Sequence, residues 1–555
     1  MDVKCFKSLS LPLSCILVIS LFLNLYGLEW GLPSCWNVDQ SVTTALNMLK
    51  NRTPFPQDYL HPALYYYVLV MFIAPYLTFQ YFFNRDFSSF LEASKVSWNY
   101  MALNYPGIAT GIFITARLSS VVFSLLTVFF VYKITKAVHN KKAGLFSALI
   151  LALNMDFINW AHMEKSVALV NLLIVISMYY VILIYKEGFS LRNYSLFCIF
   201  SGLSISAKFN GGSTVFLIPV ISLWKNFYTG GDIGLRRKLC GLLKTSIYGI
   251  IIYLLTFMIT SPGILLKADK YYMESMGEYK HKMMPESLSS LSKMWFANAC
   301  GIFERLTQMF GLPLFILVLG GLIYVLLRCR RMCYVFSILM YIPIVTVCLL
   351  IVSPRIYYWS VNSKFIVQMV PFLCIFGGIF CADFLDKRFL FSQKNLFKPL
   401  FIFAIFLISF FYCLDLDLIY KRKDLRYQVD RWILENIPRG SSIVVNNQLE
   451  YSSGINILKD YNVYILGDSP GTIGAYSFIN GQYRNIKDMG EINGLRIAYV
   501  MRSCWKIKRT LVCSVLYAPD DSLQLLKTFE RKKFWYWQPG MDGFEPDKIE
   551  IFVKK

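Results

Sequence analysis

Charged residues are scarce in this chain: Asp, Glu, Lys and Arg make up only 16% of its 555 residues, while hydrophobic residues make up 56%. A soluble protein of this length needs more polar surface to face water, and the mean hydropathy here is +0.48. Apolar runs close to the length of a membrane span recur from residue 8 to residue 414 and then stop. The composition therefore excludes an ordinary soluble fold and predicts a polytopic α-helical membrane protein.

Motifs for metal binding or familiar catalytic loops are also missing. There are four histidines and 14 cysteines, but no CxxC pair and no Cys/His spacing typical of a metal site. Most cysteines lie in apolar runs, where they behave as small hydrophobic residues. The polar tail lacks a nucleophile elbow and a Gly-rich phosphate loop. Cys504 and Cys513 lie in that tail and could form a disulfide if it is outside the cytoplasm.

Acidic residues are outnumbered, giving a net charge of +22. In a soluble protein this excess would suggest nucleic acid, but here the basic residues sit mostly in short loops between apolar runs, where they set topology. No nucleic-acid partner is therefore expected. If those loops are cytoplasmic, eleven spans follow, near residues 8–28, 107–132, 143–158, 167–185, 194–206, 211–224, 245–262, 311–327, 332–352, 362–382 and 397–414.

One further apolar run, "HPALYYYVLVMFIAPYL" at 61–77, does not fit this scheme, because counting it as a span would invert every later loop. Its tyrosines favour the headgroup zone of a membrane, which predicts an interfacial helix anchored in lipid. The alternative is a true span followed by a re-entrant return through 84–106.

This topology predicts a cytoplasmic N-terminus in a plasma or inner membrane. The long loops 29–106 and 263–310 and the tail then lie on the extracytoplasmic face. We expect a membrane domain at 1–414 and an α/β domain at 415–555. In the tail, "YQVDRWILENIPRGSSIVV" predicts a helix with Trp432, Ile433 and Ile437 inward, ended by Pro438 and Gly440, and then a strand. The runs 495–501 and 548–554 are further strand candidates.

Ionisable side chains near predicted span ends are the candidates for chemistry, because charges at membrane depth usually mark function or a compensating pair. They are Asp39, Arg117, His162, Glu164, Lys165, Lys208 and Lys364. The alternative for the cations is snorkelling at the interface. Because all of them fall on one predicted face beside an acid, we expect a site for an anion such as the phosphate of a lipid carrier.

Several short motifs follow one another in a familiar order. "VDQ" holds Asp39 and Gln40 soon after the first apolar run, and "HPALYYYVL" begins at His61. "ARLSSVVF" holds Arg117 and is followed by "AGLFSALILAL". The later motifs are "WAHMEKSVAL" with His162, "AKFNGG" with Lys208 and "SKFIVQMVPFL" with Lys364. Over roughly residues 10–385 the chain resembles the GT-C glycosyltransferases, in the branch of the protein O-mannosyltransferases and the aminoarabinose transferases of lipid A.

Two departures from that pattern concern the acids. Gln40 stands where the family usually has a glutamate, and Val167 stands where an aspartate usually follows the histidine. Glu164 is therefore the only carboxylate close after His162.

The resemblance implies transfer of a sugar from a polyprenyl-phosphate-linked donor, by single displacement with inversion. Asp39 would be the general base. Arg117, Lys208 and Lys364, with Lys165 as a weaker addition, would bind the donor phosphate. The expected substrate-binding residues are Trp36, Gln40, His61, Tyr65, His162 and Glu164. No cofactor is firmly implied, although a divalent metal is compatible with the ligand types of His61, His162 and Glu164.

The expected partners are the lipid-linked donor, membrane lipids and a glycan, lipid or protein acceptor. Two other functions stay open at this point. A non-enzymatic protein or transporter of polyprenyl-linked or other anionic lipids would use the same cations without a base, and transporters usually show internal repeats, of which no convincing pair is visible. A polymerase or ligase of surface polysaccharide would share the many spans and the large external loop, but the context of Arg117 favours the transferase.

Overall fold

The computed structural model describes most of the helical region and the strands of the tail. The described residues are 10–32, 40–56, 59, 61–96, 105–228, 234–274, 288–328, 339–341, 343–347, 366–386, 397–421, 425–446, 461–466, 483–486, 499–507, 510–513, 523–530 and 548–554. The chain forms two compact units, the first made of 1–26, 40–72 and 116–416, the second of 27–39, 73–115 and 417–555.

Helices dominate up to residue 436. They are α1 Leu11–Leu25, α2 Gln40–Lys50, α3 Leu64–Phe83, α4 Phe87–Val96, α5 Pro106–Val138, α6 Lys141–Ala152, α7 Met155–Ala161, α8 Val167–Glu187, α9 Leu191–Ala207, α10 Leu217–Leu223, α11 Leu235–Thr260, α12 Gly263–Leu266, α13 Leu288–Arg328, α14 Val370–Leu385, α15 Phe397–Lys421 and α16 Leu425–Asn436. The described residues also include 3₁₀ turns at Phe209–Phe216 and Val367–Met369, a π turn at Trp224–Tyr228 and helical residues at 339–341 and 343–347.

Seven of the described helices are long and apolar enough to cross a membrane, or eight if the bent pair α6 and α7 forms one span. The prediction of a polytopic α-helical membrane protein is confirmed. The expected set of eleven differs from these helices in several ways. Three of the expected spans contain helices shorter than 18 residues, namely α1, α9 and α10. The expected span 143–158 is long enough only as the bent pair, and 332–352 lies largely outside the described residues. In the other direction, α3 is long and apolar enough to cross a membrane although it is not among the eleven.

The run expected at 143–158 is not one straight helix, because α6 and α7 meet at an angle of 64°. The bend follows from a new helix start, since Asn154 accepts a hydrogen bond from the backbone N–H of Phe157 at 2.9 Å and caps α7. A second interruption lies in α13 at Gly311, whose φ of 68° breaks the helix two residues before Pro313.

The first unit is held together by helices that approach closely through small residues. α14 packs on both α6 and α13. A Cβ added to Gly378 of α14 would lie 2.6 Å from the backbone N of Ser147 in α6, so only glycine permits this approach. Gly321 of α13 likewise faces the backbone O of Phe376, at 2.5 Å from an added Cβ. Such contacts are typical of helix packing inside membranes.

Helix α3 contains most of the apolar run 61–77, for which an interfacial helix is predicted. It has 20 residues, which at about 1.5 Å per residue is enough to span the apolar core of a bilayer. The interfacial placement therefore stays a prediction, and the alternative of a true span has the length it needs. The lipid-anchoring role expected for its tyrosines is wrong for Tyr65 and Tyr66, which are both 2% exposed and packed inside the protein. Tyr81 is 64% exposed.

The second unit contains the sheet of the tail. Its strands are β1 Ser442–Asn446, β2 Asn462–Leu466, β3 Tyr483–Ile486, β4 Tyr499–Ile507, β5 Thr510–Cys513, β6 Leu523–Glu530 and β7 Lys548–Lys554. The order is β3-β2-β1-β4-β7-β6, with β5 paired to β4. The pairs among β1 to β4 are parallel, whereas β4–β7, β6–β7 and β4–β5 are antiparallel.

The predicted α/β character of the tail is confirmed. α16 ends at Asn436, before Pro438. Ile433 and Ile437 are buried as predicted, whereas Trp432 is only half-buried. The strands predicted at 442–445 and 548–554 are present. The strand predicted at 495–501 begins at Tyr499, its first residues lying outside the described part. Cys504 and Cys513 are direct partners in the register of β4 and β5, and their disulfide stays a prediction. The domain boundary at 414/415 also stays a prediction.

Residues that follow α1 contact the end of α15 within this unit. Trp30 packs edge-on against Tyr420 with ring centroids 5.5 Å apart, and Glu29 pairs with Lys421. A Cβ on Gly27 would lie 2.6 Å from the Cβ of Tyr420. The Glu29 carboxylate is half exposed, so it is a surface ion pair of small energetic weight.

Candidate active site

A buried ion pair joins α5 to the turn between α7 and α8. Arg117 Nε donates to Glu164 Oε2 over 2.9 Å, and the two side chains are only 3% and 1% exposed. One turn further along α5, Ser120 Oγ donates to the backbone O of Met163 at 2.7 Å. Charges removed from water are tolerated only with a close partner, so Glu164 compensates the guanidinium and helps to fix its orientation.

The short helix α7 supplies an acid that the sequence analysis missed. Asp156 is 2% exposed, and its Oδ2 accepts a hydrogen bond from Trp160 Nε1 at 2.9 Å, one turn along the helix. The sequence could have identified Asp156, because it lies near the end of an apolar run. The other candidates were chosen as ionisable residues in the same kind of position. The omission of Asp156 came from assigning residues 143–158 to one span.

His162 follows α7 directly and is 2% exposed. Its Nδ1 lies 2.9 Å from the backbone O of Ile158 and its Nε2 lies 3.0 Å from the backbone O of Tyr26. The next residues complete the turn, with Lys165 Nζ placed 5.9 Å from the centre of the Trp160 ring. The structure thus brings Arg117, His162, Glu164 and Lys165 of the predicted set to one turn and the helix beside it.

Lys208 lies at a different break in the helices. It follows α9 with extended backbone (φ −165°), and its N–H still bonds to Ser204 O at 3.2 Å. The 3₁₀ turn after it folds back onto α9, where Ser204 Oγ donates to Gly211 O at 2.7 Å. The predicted pair of half-length runs around Lys208 is therefore a broken helix, and the convergence of Lys208 with Arg117 stays a prediction.

His61 and Tyr65 lie around the start of α3. His61 is half-buried, and its backbone O is 3.5 Å from the hydroxyl of Tyr271, which donates to it. Gln40 is the first residue of α2. Trp36, Asp39 and Lys364 lie outside the described residues.

No cluster of three or more His, Cys, Asp or Glu side chains that could hold a metal ion occurs among the residues that the structure describes. Within the buried turn, both ring nitrogens of His162 lie against backbone carbonyls, and Glu164 pairs with Arg117. A divalent metal held by His61, His162 and Glu164 remains a prediction with no geometry to support it.

The segment from Ile108 to Pro262, which runs from α5 through α11, matches the family model described as dolichyl-phosphate-mannose-protein mannosyltransferase. The chain resembles the GT-C glycosyltransferases. The matched residues are less than half of the chain, but they include Arg117, His162, Glu164 and Lys208. No curated protein matches this chain by sequence.

Several solved structures are similar to this chain. The oligosaccharyltransferase AglB from Archaeoglobus fulgidus, in complex with an inhibitory peptide and a dolichol-phosphate, is 10% identical, covers 100% of this chain and 89% of its own, and has a TM-score of 0.48. ArnT from Cupriavidus metallidurans, bound to undecaprenyl phosphate, is 11% identical with 92% and 98% covered and a TM-score of 0.46. The S. cerevisiae Pmt1-Pmt2 protein O-mannosyltransferase complex is 16% identical, with 46% and 34% covered and a TM-score of 0.36.

All three scores lie below 0.5, so these likenesses carry no argument about the chemistry of this chain. The long apolar helices together with the family match make the chain an integral membrane protein that resembles glycosyltransferases.

Proposed function

We propose that this protein transfers a sugar from a polyprenyl-phosphate-linked donor to an acceptor on the extracytoplasmic face of its membrane, with inversion at the anomeric carbon. The observation that supports this most directly is the overlap between the mannosyltransferase match and the buried polar turn. Residues 108–262 contain the Arg117–Glu164 pair, His162 and Lys208. An ionic cluster at a helix end inside a membrane protein is the kind of feature that a lipid phosphate substrate requires.

In the proposed reaction the acceptor hydroxyl attacks the anomeric carbon as the bond from that carbon to the phosphate oxygen breaks. The proton of the hydroxyl passes to Asp39, and the departing polyprenyl phosphate takes the negative charge. Arg117, Lys208, Lys364 and Lys165 supply the positive charge that stabilises that leaving group. The orientation of the Arg117 guanidinium is fixed by the hydrogen bond from its Nε to Glu164.

The acceptor belongs to one of three classes: glycan, lipid or protein. A comparison of glycolipid, glycan and glycoprotein profiles from cells with the gene, without it and with Asp39→Asn identifies the class. We expect one class of product to disappear both without the gene and in the Asp39→Asn cells. The matched control is Glu29→Gln, since Glu29 is an acid in the same predicted loop with a half-exposed ion pair, and it should leave the profile unchanged.

Two results would count against the proposal in different ways. Unchanged profiles in cells without the gene would contradict glycosyl transfer altogether. Full product formation by Asp39→Asn would reject Asp39 as the base. If that variant instead moves polyprenyl-linked lipid from one leaflet of a vesicle membrane to the other without transferring sugar, the transporter is favoured.

A further inference from the structure

The end of the first unit that lies away from the buried turn carries many cations. α8 starts three residues after Glu164, and its 21 residues rise about 30 Å, so its last residue, Glu187, lies at the far end of a helix of membrane length. There Lys186 Nζ donates to the backbone O of Ala137, which places the ends of α5 and α8 side by side.

Contacts around Lys225 place the start of α11 at the same end. Lys225 Nζ lies 4.0 Å from the centre of the Phe189 ring, just after α8, and donates to Thr245 Oγ1 of α11 at 3.3 Å. A Cβ added to Gly241 would lie 2.2 Å from Asn226 Oδ1, so the π turn packs directly on the N-terminal part of α11. The residues of α11 that precede Thr245 therefore lie at this end of the unit.

The cations around α5, α6 and α14 at this end have acidic partners. Lys142 Nζ lies 2.7 Å from Asp386 Oδ1, and His139 Nε2 lies 3.2 Å from Asp383 Oδ1. In this part of the surface the fold itself supplies negative charge beside the positive groups.

A second group of cations, which we call the basic patch, runs from the end of α8 into α11. Its members are Lys186, Arg192, Lys225, Arg236, Arg237, Lys238 and Lys244. The acids in that stretch are Glu187 and Asp232, and Asp232 lies outside the described residues. Arg236, Arg237 and Lys238 form no ion pair with any residue that the structure describes. Seven cations against two acids leave the basic patch with a positive charge that this stretch does not neutralise.

An apolar stripe on α11 continues from the basic patch. Leu239, Leu243 and Ile247 are 47–62% exposed, and they follow Arg236 at three, seven and eleven residues, a spacing that places all four on one side of the helix. α11 is long and apolar enough to cross a membrane, and only 17% of its most apolar window is buried by protein. The stripe therefore faces acyl chains, and Arg236 stands where the stripe reaches the headgroups.

We propose that the basic patch binds the headgroups of anionic phospholipids, in the leaflet opposite the candidate active site, with their acyl chains along the stripe of α11. Lys and Arg residues beside a span attract anionic headgroups, and a guanidinium donates charge-assisted hydrogen bonds to a phosphate. Positive charge in short loops also sets topology, but that role predicts no preference among lipids. Lipid binding here does not depend on sugar transfer, because the basic patch and Glu164 lie at opposite ends of α8.

The test compares phosphatidylglycerol, which is anionic, with phosphatidylcholine, which is neutral overall. The full-length protein is placed in liposomes of both lipids, and spin-labelled forms of each report the fraction bound at the protein surface. The test variant is Arg236→Gln with Arg237→Gln and Lys238→Gln. The matched control is Lys136→Gln with Lys141→Gln and Lys142→Gln, which removes as many cations at the same end, near Asp383 and Asp386.

We expect the wild type to prefer phosphatidylglycerol about tenfold, because several cations act on one headgroup layer. Raising the salt from about 0.05 M to about 0.5 M should weaken this preference by screening. The patch variant should lose most of it at either salt concentration, whereas the control should keep more than half. Arg236→Lys with Arg237→Lys keeps the charge and should behave like the wild type.

Three results would overturn the proposal. One is an unchanged preference in the patch variant, and another is an equal loss in the patch variant and the control, since net charge alone would then explain it. The third is displacement of phosphatidylglycerol by much smaller amounts of polyprenyl phosphate, which would assign the basic patch to the proposed donor. If the patch variant does not insert, Arg236→Gln alone and the salt dependence of the wild type decide, and no loss in either rejects lipid binding at the basic patch.

Discussion

Two apolar helices of the same unit, α8 and α11, differ sharply in what surrounds them. In its most apolar 18 residues α8 is 83% buried by the protein, while α11 is only 17% buried. The hydropathy of the two sequences does not predict this difference in burial, since both helices are long enough and apolar enough to cross a membrane. Lipid tails are as apolar as leucine side chains, so hydropathy identifies a span without telling whether protein or lipid lies against it.

The difference appears in the polar residues. α8 encloses Ser177, which has no exposed surface and donates through Oγ to the backbone O of Ile174 at 2.7 Å, and its N-terminal turn follows the buried Glu164. α11 instead presents a face of large apolar side chains, including Leu239, Leu243, Ile247 and Ile251. Buried polar groups need partners made by the fold, whereas a lipid-facing surface needs only to be apolar. Function is therefore sought around α5, α7 and α8.

The largest effect expected from the difference between enclosed and lipid-facing helices concerns the buried ion pair of Arg117 and Glu164. Arg117→Met should destabilise the protein by about 3–5 kcal/mol, because it leaves Glu164 as a buried charge without its cation. The double variant Arg117→Met with Glu164→Leu should recover most of that stability, since it removes both charges. It should not recover sugar transfer. Unfolding midpoints in detergent measure the first effect and the product assay the second.

The control for this pair lies on the other helix. Lys244→Met of α11 removes an exposed cation and should change stability by less than about 0.5 kcal/mol. If the single Arg117 variant is as stable as the double variant, the pair does not compensate the charge as described.

A smaller effect separates the two helices directly. Ile174→Ala in α8 removes a side chain with no exposed surface and should cost about 2–5 kcal/mol through the cavity it leaves. Ile251→Ala in α11 removes a side chain that is 49% exposed, so its cost should be well below that of Ile174→Ala. Equal losses in thermal or denaturant unfolding would mean that α11 is covered by protein, as α8 is.

The smallest effect concerns close helix contacts in the same unit. Gly378→Ala should cost about 1–3 kcal/mol, because its Cβ would enter the backbone of α6 at Ser147. Gly320→Ala on α13, where nothing lies within 4 Å of an added Cβ, should be neutral or stabilising by up to about 1 kcal/mol through helix propensity. Unfolding midpoints of the two variants measure this difference. If Gly320→Ala lowers the midpoint more than Gly378→Ala does, α6 and α14 do not pack in close contact at Gly378.

Much of the secondary structure could be predicted because it depends on local patterns. The helices α5, α8 and α11, the tail helix ending before Pro438 and the strand at 548–554 follow from apolar runs, breakers and alternation. The bend between α6 and α7 was missed because Asn154 lies inside an apolar run and reads as part of it. Its capping role depends on the direction that the next helix takes.

The candidate site also contains features that the sequence predicts and features that it does not. Arg117 and Glu164 were both recognisable as ionisable residues at membrane depth, but their pairing joins positions 47 residues apart and could not be predicted. The predicted lipid anchoring of Tyr65 and Tyr66 was wrong for a related reason, because an amphipathic aromatic suits both a headgroup zone and a protein interior. Only the neighbours decide between the two environments.

By itself, the sequence determined that this chain crosses a membrane many times, that its tail is α/β and that it resembles the GT-C glycosyltransferases, because hydropathy, turn residues and short motifs act over a few residues each. Only the tertiary structure decided which helices are enclosed and which side chains meet. The ion pair of Arg117 with Glu164 and the contact of His162 Nε2 with the backbone O of Tyr26 arise from distant segments packing together, and no local pattern predicts them.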